Sequence, residues 1–204
     1  MVKRIAVFAS GSGSNFEAVV QAAKSGRLAG AEIALLVCDK PGAGVLERAA
    51  RLGVDVFVFD PKAYPDKAAF EREIVAELQK REVELVVLAG YMRLVGDTLL
   101  QAYEGRMINL HPSLLPAFPG KDAVGQALSY GVKITGITVH MVDAGLDTGP
   151  IIAQTPVEVL EDDTAESLSA RIHQVEHGLL VDVIDKLLTG RVKVEGRHVR
   201  QGTK

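Results

Sequence analysis

Short apolar runs alternate with stretches of helical period through the first half of this chain, and that rhythm restricts the fold more than any other feature. The runs cover residues 4–9, 32–38, 55–59, 85–89 and 107–110, with helical patterns near 15–24, 44–52, 66–81 and 97–103 between them. A run such as ELVVLAG is apolar at consecutive positions rather than alternate ones, the pattern of a strand covered on both faces. Strands of that kind, spaced by helices, build parallel sheets with right-handed crossovers. The expected fold is α/β: an open, mostly parallel twisted sheet with helices on both faces and a Rossmann-like N-terminal half.

The rhythm changes after Gly120. A helix near 122–130 precedes two strand-like segments, 132–142 and 149–159, separated by the polar loop DAGLDTG at 143–149. A last helix is expected over 164–188, with Leu168, Ile172, Val175, Leu179, Val183 and Leu187 as its apolar stripe. Asp163 or Thr164 suits its N-cap and Gly190 its stop. The tail RVKVEGRHVRQGTK alternates weakly and reads as a short edge hairpin. With no repeat, low-complexity tract or linker, residues 1–204 read as one domain with two functional halves, about 1–105 and 106–204.

Composition excludes several classes. A net charge of -3 supplies no basic surface to neutralise phosphates, so nucleic acid is not an expected partner. Cys38 is the only cysteine, which rules out an intrachain disulfide and points to a reducing compartment. The opening MVKRIAVFASGSGS breaks into Gly and Ser too early for a signal peptide, and no apolar stretch is long enough for a bilayer. A cytoplasmic protein with no membrane partner is expected.

Four stretches carry chemistry. SGSGSNFEAV, residues 10–19, follows the first apolar run and opens a helix. Gly11 and Gly13 expose backbone N–H groups, Ser12, Ser14 and Asn15 add polar contacts, and a helix N-terminus favours an anion. The dinucleotide pattern G-x-G-x-x-G fails at its third glycine, where Phe16 stands, although Asp39 could serve as the ribose-binding acid of that pattern. The second stretch is INLHPSLLPAFPG, residues 108–120. Asn109 and His111, two apart on a strand, share a face at its C-terminal end, where open α/β sheets bind ligands. Pro112 holds His111 extended. The third is VDAGLDTGP, in which Asp143 or Asp147 could orient His111 and favour its charged form; turn chemistry explains the same residues. The fourth is HQVEH, which matches the zinc pattern H-x-x-E-H but lies on a core-facing helix. Without metal, His173 and Glu176 are neighbours that could hold a polar ligand.

These stretches, together with VVLAGYMRLV and TGITVHMVDAGLDTGPIIAQ, occur in the same order in one family. The chain resembles the phosphoribosylglycinamide formyltransferases, folate-dependent enzymes of purine synthesis. Methionyl-tRNA formyltransferases share the HPSLLP-type segment but are longer and lack GSGSN. Formyltetrahydrofolate deformylases carry an added N-terminal domain, for which this chain leaves no room before its first strand.

The resemblance implies a reaction: the amine of glycinamide ribonucleotide takes the formyl group of the co-substrate 10-formyltetrahydrofolate. It implies Asn109 as oxyanion donor, His111 as general acid or stabilising imidazolium, and Asp147 as the group that keeps the His111 pKa high and relays protons. His140 would support the site. Gly11, Ser12, Gly13, Ser14 and Asn15 would hold the ribonucleotide phosphate, and His173 and Glu176 the ribose region. Folate would lie against Met92, Arg93, Leu94 and Val95, near Leu146 and Asn109. Lys67, with Lys62 as the alternative, stands where other members carry an arginine for the folate glutamate tail. FPGKDAVGQAL departs from the histidine-rich version of other members. No metal is implied, and a homodimer is compatible with the sequence though no surface marks one. The readings in other classes are a nicotinamide-dependent oxidoreductase, a phosphometabolite-binding module and a zinc hydrolase.

Overall fold

The computed structural model describes residues 2–202. In chain order these form β1 (Lys3–Phe8), α1 (Ser14–Lys24), β2 (Ala31–Cys38), α2 (Gly44–Leu52), β3 (Val56–Val58), α3 (Lys67–Lys80), β4 (Leu85–Leu88), α4 (Asp97–Ala102) and β5 (Met107–His111). There follow α5 (Ala123–Tyr130), β6 (Ile134–Met141), β7 (Ile151–Glu158), α6 (Ala165–Leu188), β8 (Val192–Glu195) and β9 (His198–Gln201). The large sheet has seven strands in the order β3-β2-β1-β4-β5-β6-β7. The chain divides into two compact units, Met1–Asn109 and Leu110–Lys204.

In the first unit β1 pairs in parallel with β2 and β4, β2 with β3, and β4 with β5. Ile5, Ala6, Val7, Phe8, Val86 and Val87 have no solvent exposure, as consecutive apolar residues require when helices cover both faces. β3 is shorter than expected, because Asp55 and Phe59 flank rather than extend the ladder. α3 is capped by the Asp66 carboxylate, which accepts from the Ala69 amide.

In the second unit β6 and β7 are antiparallel. The tail forms the expected hairpin, β8 against β9, but as a separate two-stranded sheet rather than an edge of the large one. Its link to β7 is a side chain, Gln201 Nε2 donating to Ile152 O, and not a backbone ladder. Thr203 and Lys204 lie outside the described residues. Thr164 caps α6 in a reciprocal capping box with Ser167. Asp163 takes the other role: it accepts from Arg171, Ser167 and the Leu160 amide. The hydrogen bonds from Arg171 and Ser167 hold its carboxyl well below the usual range.

The stripe of α6 differs from the expected one. Leu168, Ile172 and Val183 are buried as expected, but Leu180, Val181 and Ile184 are buried where Leu179 and Leu187 were expected, and Val175 is half-buried. The buried line runs 168, 172, 176, 180, 184, with Glu176 inside it. A four-residue repeat drifts slowly around a helix of 3.6 residues per turn, and an apolar-only search steps over the carboxylate at its centre. Leu180→Ala is expected to cost about 3 kcal/mol in chemical denaturation and Leu179→Ala about 1 kcal/mol; equal losses would restore the stripe expected from the sequence.

Candidate active site

Three adjacent strands of the first unit end side by side. Phe8 is level with Val37 on β2 and Leu88 on β4, so the chain leaves the sheet together at Ser10, Asp39 and Gly90. Ser10 N donates to Gly90 O at 3.0 Å. Ser10 Oγ donates to Asp39 Oδ1 at 2.5 Å and accepts from Met92 N at 2.9 Å. Asp39 Oδ2 accepts from Arg93 Nε at 2.7 Å. Beyond this junction Met92 and Leu94 are 72% and 56% exposed, while Val95 is half-buried. Lys67 Nζ donates to Leu94 O at 3.0 Å. The buried Glu71 accepts from Gly96 N and Leu99 N at 2.6 and 3.2 Å, capping α4 from a neighbouring helix. Lys62 is exposed.

The loop from Gly11 to Asn15 connects β1 to α1. Gly13 has φ 78, and a Cβ on it would lie 2.3 Å from Val45 Cγ2, so both its conformation and its neighbour require glycine. It is the N-cap of α1 and supplies no side-chain cap. Gly11 O accepts from Val45 N at 3.0 Å, and Ser12 O from Arg48 Nε at 2.7 Å. Gly11 and Ser12 are exposed, Ser14 is half-buried and Asn15 is buried. Phe16, at the place of the third glycine in the dinucleotide pattern, is fully buried. With both Asp39 oxygens engaged by protein groups, the ribose-binding acid of that pattern is also occupied.

Asn109 and His111 lie two apart on β5, Asn109 half-buried and His111 4% exposed. His111 Nε2 donates to Phe118 O at 2.8 Å, and Nδ1 is 3.4 Å from Asp147 Oδ2. The same carboxylate oxygen accepts from Gly120 N at 2.8 Å. Its other oxygen is 3.6 Å from His140 Nε2, and His140 Nδ1 donates to Met141 O at 2.8 Å. One carboxylate thus stands between two imidazoles, each oriented by a backbone carbonyl.

Local folding explains how it gets there. Asp147 adopts φ 54, the left-handed region that Asp tolerates better than most residues. Gly149 approaches Met141 so closely that a Cβ would lie 1.7 Å from its carbonyl oxygen. Asp143 takes the turn role, accepting from Gly145 N at 3.0 Å and Thr148 Oγ1 at 2.7 Å. Arg197, at the β8–β9 turn, donates from both terminal nitrogens to Thr148 O at 2.6 Å. On the other flank Thr138 Oγ1 donates to Ser113 O and accepts from Leu115 N. Gln154 Nε2 donates to Leu115 O. The Leu115–Pro116 bond is cis.

Burial alone would raise the Asp147 carboxyl, but the His140 hydrogen bond, the Gly120 amide and the charges of both histidines outweigh it and hold it below its ordinary value of 3.8. On α6, His173 Nδ1 donates to Glu176 Oε2 at 2.8 Å; Glu176 is 4% exposed while His173 reaches solvent. Among the described residues no group of three His, Cys, Asp or Glu side chains converges to hold a metal.

Within the second unit the structure therefore brings together His111, Asp147 and His140, and separately His173 with Glu176. Within the first it brings together Met92, Arg93 and Lys67 through loop 91–96. Leu146 is exposed beside Asp147. Sequence reasoning missed the groups that orient these side chains. Phe118 O and Gly120 N are backbone atoms with no residue-type signature, while Ser10, Thr138, Gln154 and Arg197 lack spacing that distinguishes them from surface polar residues.

A family model described as formyl transferase matches residues 3–184. A phosphoribosylglycinamide formyltransferase of Bacillus subtilis is 60% identical over 187 residues, 92% of this chain and 95% of that protein. The enzyme of that name from Mycobacterium tuberculosis H37Rv is 44% identical over 98% of this chain and 92% of its own. The crystal structure of glycinamide ribonucleotide transformylase 1 from Symbiobacterium toebii superposes with a TM-score of 0.96 at 48% identity, covering 99% of this chain and 95% of that one. The Geobacillus kaustophilus structure of the same description gives 0.89 at 62%, covering 92% and 100%. The chain belongs to the formyl transferase family.

Proposed function

We propose that this enzyme transfers the formyl group of 10-formyltetrahydrofolate to the amine of glycinamide ribonucleotide, in the cytoplasm. The observation that carries the reading is the half-buried Asp147 carboxylate, held between His140 and His111, the latter two strand positions beyond Asn109, in a chain 60% identical to a phosphoribosylglycinamide formyltransferase. The amine nitrogen bonds to the formyl carbon, giving a tetrahedral oxyanion. Collapse breaks the bond from that carbon to N10 of the folate; the amine loses a proton and N10 gains one.

Each group has a part in that sequence. Asn109 donates to the oxyanion where charge develops. His111, oriented by Phe118 O, supplies a proton, and Asp147 stays ionised to hold it. His140 is the second donor to that carboxylate. The uncapped N-terminus of α1 and the amides of Gly11, Ser12, Gly13, Ser14 and Asn15 receive the ribonucleotide phosphate. His173 and Glu176 hold the ribose hydroxyls. Met92, Arg93, Leu94, Val95 and Asn109 are the folate-binding groups of the first unit, and Leu146 is that of the second. Lys67 serves the glutamate tail once it leaves Leu94 O, as a point charge without the fork of an arginine.

One assay with 10-formyltetrahydrofolate and three acceptors, glycinamide ribonucleotide, methionyl-tRNA and water, tests the reading. Transfer to the ribonucleotide alone is expected; formylation of tRNA alone, or hydrolysis alone, would overturn it. Asn109→Ala is expected to lower kcat about 10²–10³-fold with KM values changed far less, and full turnover would remove the oxyanion role. Asp147→Asn is expected to lower turnover about 10²-fold and to alter the acidic side of the pH profile. The sign follows from the lowered carboxyl: the Asp147 contribution is complete above pH 3.8 and disappears as the pH falls through its folded value, where wild type and variant converge. Superimposable profiles of equal height would exclude the role.

A further inference from the structure

Asp39 is 8% exposed at the C-terminal end of β2, outside every role assigned above. A carboxylate so far from water is costly unless its oxygens are hydrogen-bonded. Its partners are specific. One oxygen takes the hydroxyl of Ser10, whose own oxygen takes the amide of Met92; the other takes Nε of Arg93. The backbone of Met92 and the side chain of the next residue are therefore tied to a single buried group, through strands β1 and β2 that lie beside β4 in the sheet. The Arg93 guanidinium also sits 6.0 Å from the Phe70 ring centroid. Two further contacts hold the same loop, Lys67 on Leu94 O and Glu71 on Gly96 N.

Two side chains on this segment point to solvent. Met92 and Leu94 are large, apolar and mostly exposed on a backbone fixed at both ends. A fixed backbone with exposed apolar side chains is what a flat, partly apolar ligand needs, because the ordering cost is met before binding.

We propose that Asp39 is a positioning residue for the folate-binding segment 92–95: its carboxylate, through Ser10 and Arg93, sets that backbone in its binding geometry. The inference rests on the reading of 92–95 as the donor face. Asp39 touches neither substrate, so its loss weakens donor binding and leaves the acceptor and the chemistry nearly alone. An amide at position 39 cannot accept from Ser10 and Arg93 as an anion does; one of its two ends presents N–H to a donor.

The test compares wild type with Asp39→Asn in the formyl-transfer assay, together with hydrogen exchange at the Met92 amide. The wild type must transfer formyl to glycinamide ribonucleotide; failure there overturns the functional reading and not the role of Asp39. Given an active wild type, Asp39→Asn is expected to raise the donor KM about tenfold, to leave the acceptor KM and kcat within about threefold, and to speed exchange at Met92. An unchanged donor KM, or equal rises in both KM values, overturns the proposal. Should that variant not fold, Ser10→Ala removes the hydroxyl that links Asp39 to the Met92 amide, at a residue with no contact assigned to either substrate. The same donor-selective rise is then expected, and its absence overturns the proposal equally.

Discussion

A strand with no solvent-facing side leaves its chain few choices. β1 and β4 bury nearly every side chain, so helices must cover both faces and each connection must cross over before the next strand can pair. Adjacent parallel strands then end at the same level. In the first unit this sets Ser10, Asp39 and Gly90 side by side, residues far apart in the chain that serve one junction. The glycine loop into α1 and the exposed Met92–Leu94 segment both start from that line, so the groups read as phosphate-binding and folate-binding share one scaffold.

Four acidic side chains test that scaffold, because each has lost most of its water. Asp39 is satisfied by Ser10 and Arg93, Glu71 by two amides at the start of α4, Asp147 by the Gly120 amide and two imidazoles, and Glu176 by His173. The partners differ in kind, and so does the result. Glu71, held by backbone amides, caps the start of a helix. Asp147 has titratable partners and a left-handed backbone that aims it, so it joins a proton-handling group. A buried anion becomes chemically useful when what satisfies it can itself give up a proton.

Much of this was legible in the residues. The strand–helix rhythm led to the sheet because apolar periodicity is a local property, and Gly11 and Gly13 were marked as residues that expose backbone N–H groups ahead of a helix. Asn109 and His111 were found because a strand's period puts residues two apart on one face. Where the reading slipped, non-local packing was the reason. The α6 stripe was placed on Val175 and Leu179 because an apolar count skips Glu176, which packs inside with His173 as its partner. The tail was read as an edge because alternation does not say which strand it pairs with. Asp39 was weighed as a ribose-binding acid on its position after a strand, and its two occupied oxygens show a different use.

The sequence by itself determined the class of fold and which residue types stand at the ends of the strands, since these follow from local period, turn chemistry and spacing, and its motifs in their order carried the resemblance to the family. Only the tertiary structure decided which acid serves which base. Asp143 and Asp147 are four residues apart in one polar loop, and nothing in their spacing separates them. The close approach of Gly149 to Met141 and the positive φ at Asp147 turn one carboxylate toward His111 and His140 and leave the other to close the turn. Those contacts depend on where β6 ends relative to the loop, a distance that exists only once the chain has folded.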